Sequence, residues 1–124
     1  MKHLEGVFQR YAVLEDVGGE NGRIHKNLAN LDLDITKDVN VSYFIANNKN
    51  EHKTVKISFK ELQYRMLNNQ EFIENVFEIV VEGEDYEIRL SGGEIWVKSF
   101  DKEKADSIFK TLINRSKLTQ HINK

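Results

Sequence analysis

Cysteine is absent from the chain. That excludes disulfides, thiolate metal sites and cysteine nucleophiles together. Proline is absent as well, so a polyproline II ligand segment or a rigid proline linker is excluded. Long apolar runs are missing, and the few short ones fall far below the length of a membrane span. Met1-Lys2-His3-Leu4-Glu5 does not open as a signal peptide, because Glu5, Gln9 and Arg10 interrupt any apolar stretch. A cytosolic protein is the expectation. A surplus of one charge is missing too. Eighteen Lys and Arg against twenty Asp and Glu give a net charge of −2, which argues against a dedicated nucleic-acid binder. Tryptophan occurs once, at Trp96.

What is present is a globular balance, 31% charged and 40% hydrophobic over 124 residues. One domain fits this length, and its core can hide roughly two-thirds of the unfolded surface.

Leu4, Val7, Phe8, Tyr11 and Leu14 recur at helical spacing, while Val7, Tyr11 and Val13 share a strand parity. Both readings of the first segment stand. Gly18-Gly19-Glu20-Asn21-Gly22 breaks whatever precedes it, and residues 23–38 are ambiguous. Val39, Val41, Tyr43 and Ile45, then Val55, Ile57 and Phe59, alternate with polar neighbours and read as two strands. Asn47–His52 reads as the polar loop between them. Ser58 and Glu61 have capping-box spacing, and a short helix should follow with Leu62, Met66 and Leu67 inward. Asn68-Asn69 ends it.

The second half is the more legible. Phe77, Ile79 and Val81 form one alternating run, and Tyr86, Ile88 and Leu90 a second. Ile95 and Val97 belong to a third. Gly83-Glu84 and Gly92-Gly93 suit two-residue hairpin turns. Asp101 is the expected N-cap of a last helix. Its stripe is Ala105, Ile108, Phe109, Leu112 and Ile113, and Asp106 stands four residues before Lys110 in the favourable order for an ion pair. The expected class is α+β. An antiparallel sheet, including a three-stranded meander at about 76–100, is packed by a C-terminal amphipathic helix at about 102–116.

Turn length sets register. The two glycine turns place Leu90 opposite Ile95, Ile88 opposite Val97, Arg89 opposite Trp96 and Glu87 opposite Lys98. They also place Val81 opposite Tyr86, Ile79 opposite Ile88, Phe77 opposite Leu90, Glu78 opposite Arg89, Val80 opposite Glu87 and Glu82 opposite Asp85. The apolar set is then one face, the core. The other face carries Glu78, Arg89 and Trp96, then Val80, Glu87 and Lys98, with Phe100 in the parity of Trp96. Two readings of Trp96 compete. The short helix or the first hairpin covers the ring as a satellite core, or Trp96, Arg89, Val80 and Phe100 form a partner-binding patch of the residue types enriched in hot spots.

Motifs for chemistry are weak. His3, His25, His52 and His121 have no metal-ligand spacing, and His25 and His52 read as solvated loop histidines. Asp32, Asp34 and Asp38 lack the glycine and terminal glutamate of a calcium loop and read as a solvated acidic face. The glycine-rich stretch at 18–22 lacks the Lys-Ser or Lys-Thr of a phosphate loop. No G-x-S-x-G elbow occurs. Residues 71–94 hold eight acids, Glu82, Glu84 and Asp85 among them, and one base, Arg89. Residues 98–124 hold seven bases, Lys104, Lys110, Arg115 and Lys117 among them, and three acids. Either the two segments neutralise each other, as Glu87 with Lys98, or they meet oppositely charged partners.

Three meandering strands closed by an amphipathic helix, about Val76 to Ser116, resemble the last part of a pleckstrin-homology-like domain. The resemblance carries no diagnostic motif and implies no functional residue. The expected function is a non-catalytic binding protein of adaptor, inhibitor or immunity type. It would contact another protein or a second copy, with no cofactor, no metal and no membrane. The alternatives are a nucleic-acid-associated regulator using the basic last helix, and an enzyme whose site no motif reveals.

Overall fold

The structure is a computed structural model and describes residues 7–18 and 20–114. Six strands form one antiparallel sheet in the order β1-β6-β5-β4-β2-β3. They are β1 (Phe8–Val13), β2 (Val39–Ile45), β3 (Asn48–Ile57), β4 (Val76–Glu82), β5 (Tyr86–Ser91) and β6 (Glu94–Ser99). Four α-helices, α1 (Asn21–Ala29), α2 (Phe59–Asn68), α3 (Gln70–Asn75) and α4 (Lys102–Ile113), share one hydrophobic core with the sheet. The arrangement is α+β, as the segregated patterns require. The meander lies within a wider sheet that continues on both sides, and the closing helix packs against it.

The β5–β6 hairpin follows from Gly92 and Gly93. Both take positive φ, 58° and 84°, the conformation a type I′ turn needs and glycine adopts at least cost. Leu90 therefore faces Ile95, Ile88 faces Val97, Arg89 faces Trp96 and Glu87 faces Lys98, as the sequence predicts.

The β4–β5 hairpin departs from expectation. Its turn residues are Glu84 and Asp85, with the Gly83 N–H donating to the Tyr86 carbonyl at 2.9 Å. The ladder is displaced by two residues, so Ile79 faces Leu90, Val81 faces Ile88, Val80 faces Arg89 and Glu82 faces Glu87. Gly83 serves Tyr86 instead of the turn, since a Cβ there would lie 2.0 Å from the Tyr86 ring. A slip of two preserves the side of every side chain. The expected pairs fail while the expected faces survive.

Phe77 is the exception. Ser42 pairs with Glu78 and Tyr43 with Val76, leaving Phe77 as an extra, bulged residue. Val76 takes the inward place and is buried. Phe77, expected in the core, stacks instead on Phe44 at 4.4 Å between centroids.

The β2–β3 connection is tighter than the polar run implies. Ala46 and Asn47 form the turn, with φ of 52° and 61°. Residues 48–52, expected as loop, belong to β3. The extra residues 49–51 are accommodated between the Phe44–His52 and Ile45–Asn48 pairs. Asn48 braces them, accepting from the Asn50 N–H at 2.9 Å and donating to Glu51 at 3.1 Å. Phe59 opens α2 and is not a strand residue.

The first segment is a strand. β1 pairs with β6, Tyr11 facing Trp96. Gly18, at φ 62°, closes a short 3-10 turn over Leu14–Val17. In α1, Ile24, His25, Asn27, Leu28 and Ala29 are buried. His25 is therefore no solvated loop residue. At α2 only half of the capping box forms. The Ser58 hydroxyl accepts from the Glu61 N–H at 3.0 Å, and the Glu61 carboxylate turns to Arg65 at 2.8 Å. Leu62 and Met66 are buried, whereas Leu67 is 79% exposed and not inward. Asn69 ends α2 and caps α3, accepting from the Phe72 N–H.

Asp101 caps α4 as expected, accepting from the N–H groups of Glu103 and Lys104. Ala105, Ile108 and Leu112 are buried, with Phe109 and Ile113 partly so. Asp106 pairs with Arg10 of β1 and not with Lys110. The far end of α4 is held by α1. Asn27 Nδ2 donates to the Leu112 carbonyl at 2.8 Å and to that of Asn114 at 3.1 Å, and Arg23 donates to the Asn114 carbonyl at 2.6 Å. These side chains satisfy carbonyls that a helix end leaves without intrahelical donors. The helix ends at Ile113, with Asn114 already extended, short of the expected 116; residues 115 and 116 lie outside the described residues.

Candidate partner-binding face

The four described helices share one core with the inward side chains of the sheet and so pack on one side of it. Among the described residues no element crosses the other side. The observed registers set a row of side chains there across all six strands: Tyr11, Trp96, Arg89, Val80, Asn40 and Lys56, each directly opposite the next. These residues share a side because strand side chains alternate and paired residues point the same way.

Trp96 is half-buried. Its cover comes from Tyr11 of β1 and not from the short helix or the first hairpin. The two rings lie 4.3 Å apart between centroids at 52°. The Trp96 indole N–H donates to Glu94 Oε1 at 3.1 Å. Partial desolvation, and then the nearby Glu94 carboxylate, raise the pKa of the Tyr11 phenol. Arg89 is exposed and reaches Glu78 at 3.3 Å and Glu87 at 3.6 Å. Each exposed pair contributes at most about 1 kcal/mol. Val80 sits beside Arg89, on its β4 side.

Three of the four expected patch residues are thus adjacent: Trp96, Arg89 and Val80. Phe100 is separate. It follows Ser99, just past the far end of β6, where its N–H donates to the Asp85 carbonyl at 3.3 Å, and it is 48% exposed. A second aromatic group lies at the opposite end of the same face. Phe44 and Phe77 stack there, with the His52 ring edge-on to Phe77 at 5.8 Å. Tyr11, Phe44, Phe77 and Glu94 are the members the sequence does not reveal. Tyr11 joins only because β1 pairs with β6, and Phe77 only through its bulge.

The charged segments meet partly within the chain. Lys104 binds both carboxylate oxygens of Asp85 at 3.0 Å and lies 5.5 Å from the centroid of the Tyr86 ring. Glu87 pairs with Arg89, not Lys98. Glu82, Glu84 and Lys110 are exposed. Arg115 and Lys117 lie outside the described residues, as do His3 and His121. Asp32, Asp34 and Asp38 are exposed on an extended segment whose Leu31 and Leu33 turn inward. Among the described residues no group of three or more His, Asp or Glu side chains is placed to hold a metal ion, and no helix is long and apolar enough to cross a membrane.

Comparison of the chain with protein families, curated proteins and solved structures finds no match.

Proposed function

We propose that this chain is a non-catalytic binding protein that docks another protein on the open face of its sheet. The observation that carries the reading is the continuous row Tyr11–Trp96–Arg89–Val80 on a side that no described element covers. Trp, Tyr and Arg are the residue types that concentrate binding energy when a partner closes over them. Here they are already held in place. Tyr11 braces the indole, and two carboxylates fix the guanidinium.

Charge favours a protein over a nucleic acid. Glu78, Glu82, Glu87 and Glu94 share this face with Arg89, Lys98 and Lys56. A phosphate backbone would meet more acids than bases. On α4, Lys104 is committed to Asp85, which removes one of the cations the nucleic-acid reading needs.

Trp96→Ala and Arg89→Glu are expected to keep the fold and the circular-dichroism spectrum while losing at least ~10-fold in affinity for a captured partner, as hot-spot truncations do. Lys110→Ala, on the helical side, should leave that affinity unchanged. Capture of the same partner at equal strength by all variants would remove the open face from consideration. Unfolding of Trp96→Ala would make the ring a core element.

A further inference from the structure

We propose that the chain forms a homodimer by antiparallel pairing of β1 with β1 of a second copy, with Tyr11 meeting Tyr11 at the two-fold axis. The proposal concerns the backbone edge of the sheet. It stands whether or not the open face binds another protein.

The sheet has two edges, β1 and β3. Edge strands present unpaired N–H and C=O groups, which proteins guard with lysines and bulges. β3 is guarded in both ways. It carries Lys49, Lys53 and Lys56, and its ladder is broken beside Ile45. β1, with the sequence FQRYAV, has no lysine. Its six pairs with β6 run without a break.

The phase of the ladder fixes which groups face outward. The Leu14 N–H donates to the Gly93 carbonyl at 2.6 Å. In an antiparallel ladder the bonded residues alternate. Phe8, Arg10 and Ala12 therefore bond to β6, and Gln9, Tyr11 and Val13 direct their N–H and C=O groups away from the sheet. Tyr11 is 43% exposed.

Antiparallel self-pairing keeps faces matched only when a residue lies on the axis. Centring on Arg10 would oppose two guanidiniums. Centring on Tyr11 sets Gln9 against Val13 of the second copy, Tyr11 against Tyr11, and Arg10 against Ala12. Every outward N–H of β1 is then paired, as are the Tyr11 and Val13 carbonyls. The Gln9 carbonyl, which already accepts from Arg10 Nη1 at 2.9 Å, takes the Val13 N–H of the second copy on its other lone pair. Arg10, the one charged side chain of β1, keeps its Asp106 partner and meets a methyl group. On the open face the Trp96–Tyr11 stack becomes a row of four rings across the junction, and the two sheets become one.

Tyr11→Lys and Tyr11→Glu test this register. Analytical ultracentrifugation of the wild type should show a concentration-dependent dimer. Each charge variant should sediment as a monomer, because like charges meet on the axis, and an equimolar mixture of the two should recover the dimer mass. Trp96→Ala should remain dimeric. Hydrogen exchange gives an independent readout. The Tyr11 amide should gain protection as concentration rises, while the Leu14 amide should not change. A wild type that stays monomeric at sub-millimolar concentration overturns the proposal. So does a dimer indifferent to both charge variants, or a mixture that stays monomeric.

Discussion

Acidification from pH 7 to pH 4 will destabilise the protein by about 3 kcal/mol through His25 alone. The imidazole is 2% exposed in α1, and its buried Nδ1 has no hydrogen-bond partner among the described residues. Burial disfavours the charged ring and lowers its pKa from 6.5 to about 4. In the unfolded chain the ring takes a proton below pH 6.5, whereas in the fold it stays neutral down to about pH 4. The unfolded state therefore binds more protons across that window. Stability contributed by the neutral ring is complete above the upper value and is lost as pH falls toward the lower one. His25→Leu has no proton to bind. At pH 7 its stability should lie within about 1.5 kcal/mol of the wild type, as volume-conserving exchanges do. Urea unfolding at steps between the two pH limits measures the difference. Carboxylates titrate in both proteins and cancel in the comparison. Parallel pH profiles for the two would show that the ring is solvated or paired.

Ile88→Ala will cost about 2–5 kcal/mol, as fully buried aliphatic truncations do. Arg89→Ala, one residue further along the same strand, will cost no more than about 1 kcal/mol. Ile88 is fully buried between Val81 and Val97 on neighbouring strands. The Arg89 head is exposed and holds two carboxylates near the surface. The contrast follows from the two-residue period of a strand and from the placement of the helices on one side. Equal costs at the two positions would mean that both sides of β5 are packed.

The faces were legible because alternation is a local signal. Ile79, Val81, Tyr86, Ile88, Leu90, Ile95 and Val97 all lie in the core. The β4–β5 register was not legible. Gly83 resembles a turn residue, and its real constraint is the Tyr86 ring against its Cα, a contact known only in three dimensions. The Ala46–Asn47 turn was hidden because alanine seldom takes positive φ. The polar run after it looked like a loop because an edge strand with both sides wet needs no apolar alternation. Helix α1 was masked in another way. It has no side-chain N-cap, begins next to glycine, and places His25 and Asn27 among its buried residues. Asn27 is there to cap α4, a role set by packing and not by its sequence neighbours. Of the site, Trp96, Arg89 and Val80 could be placed together from parity alone. Tyr11 could not, because nothing local tells β1 to pair with β6.

Trp96 stands on a face that no described element crosses, and among the described residues Tyr11 is the ring that shields it. Acrylamide quenching of its fluorescence tests this directly, because no other tryptophan contributes. Quenching of the native protein should be a large fraction of that in denaturant, and Tyr11→Ala should raise it further. A native indole shielded as a core ring is, and indifferent to Tyr11→Ala, would contradict the account.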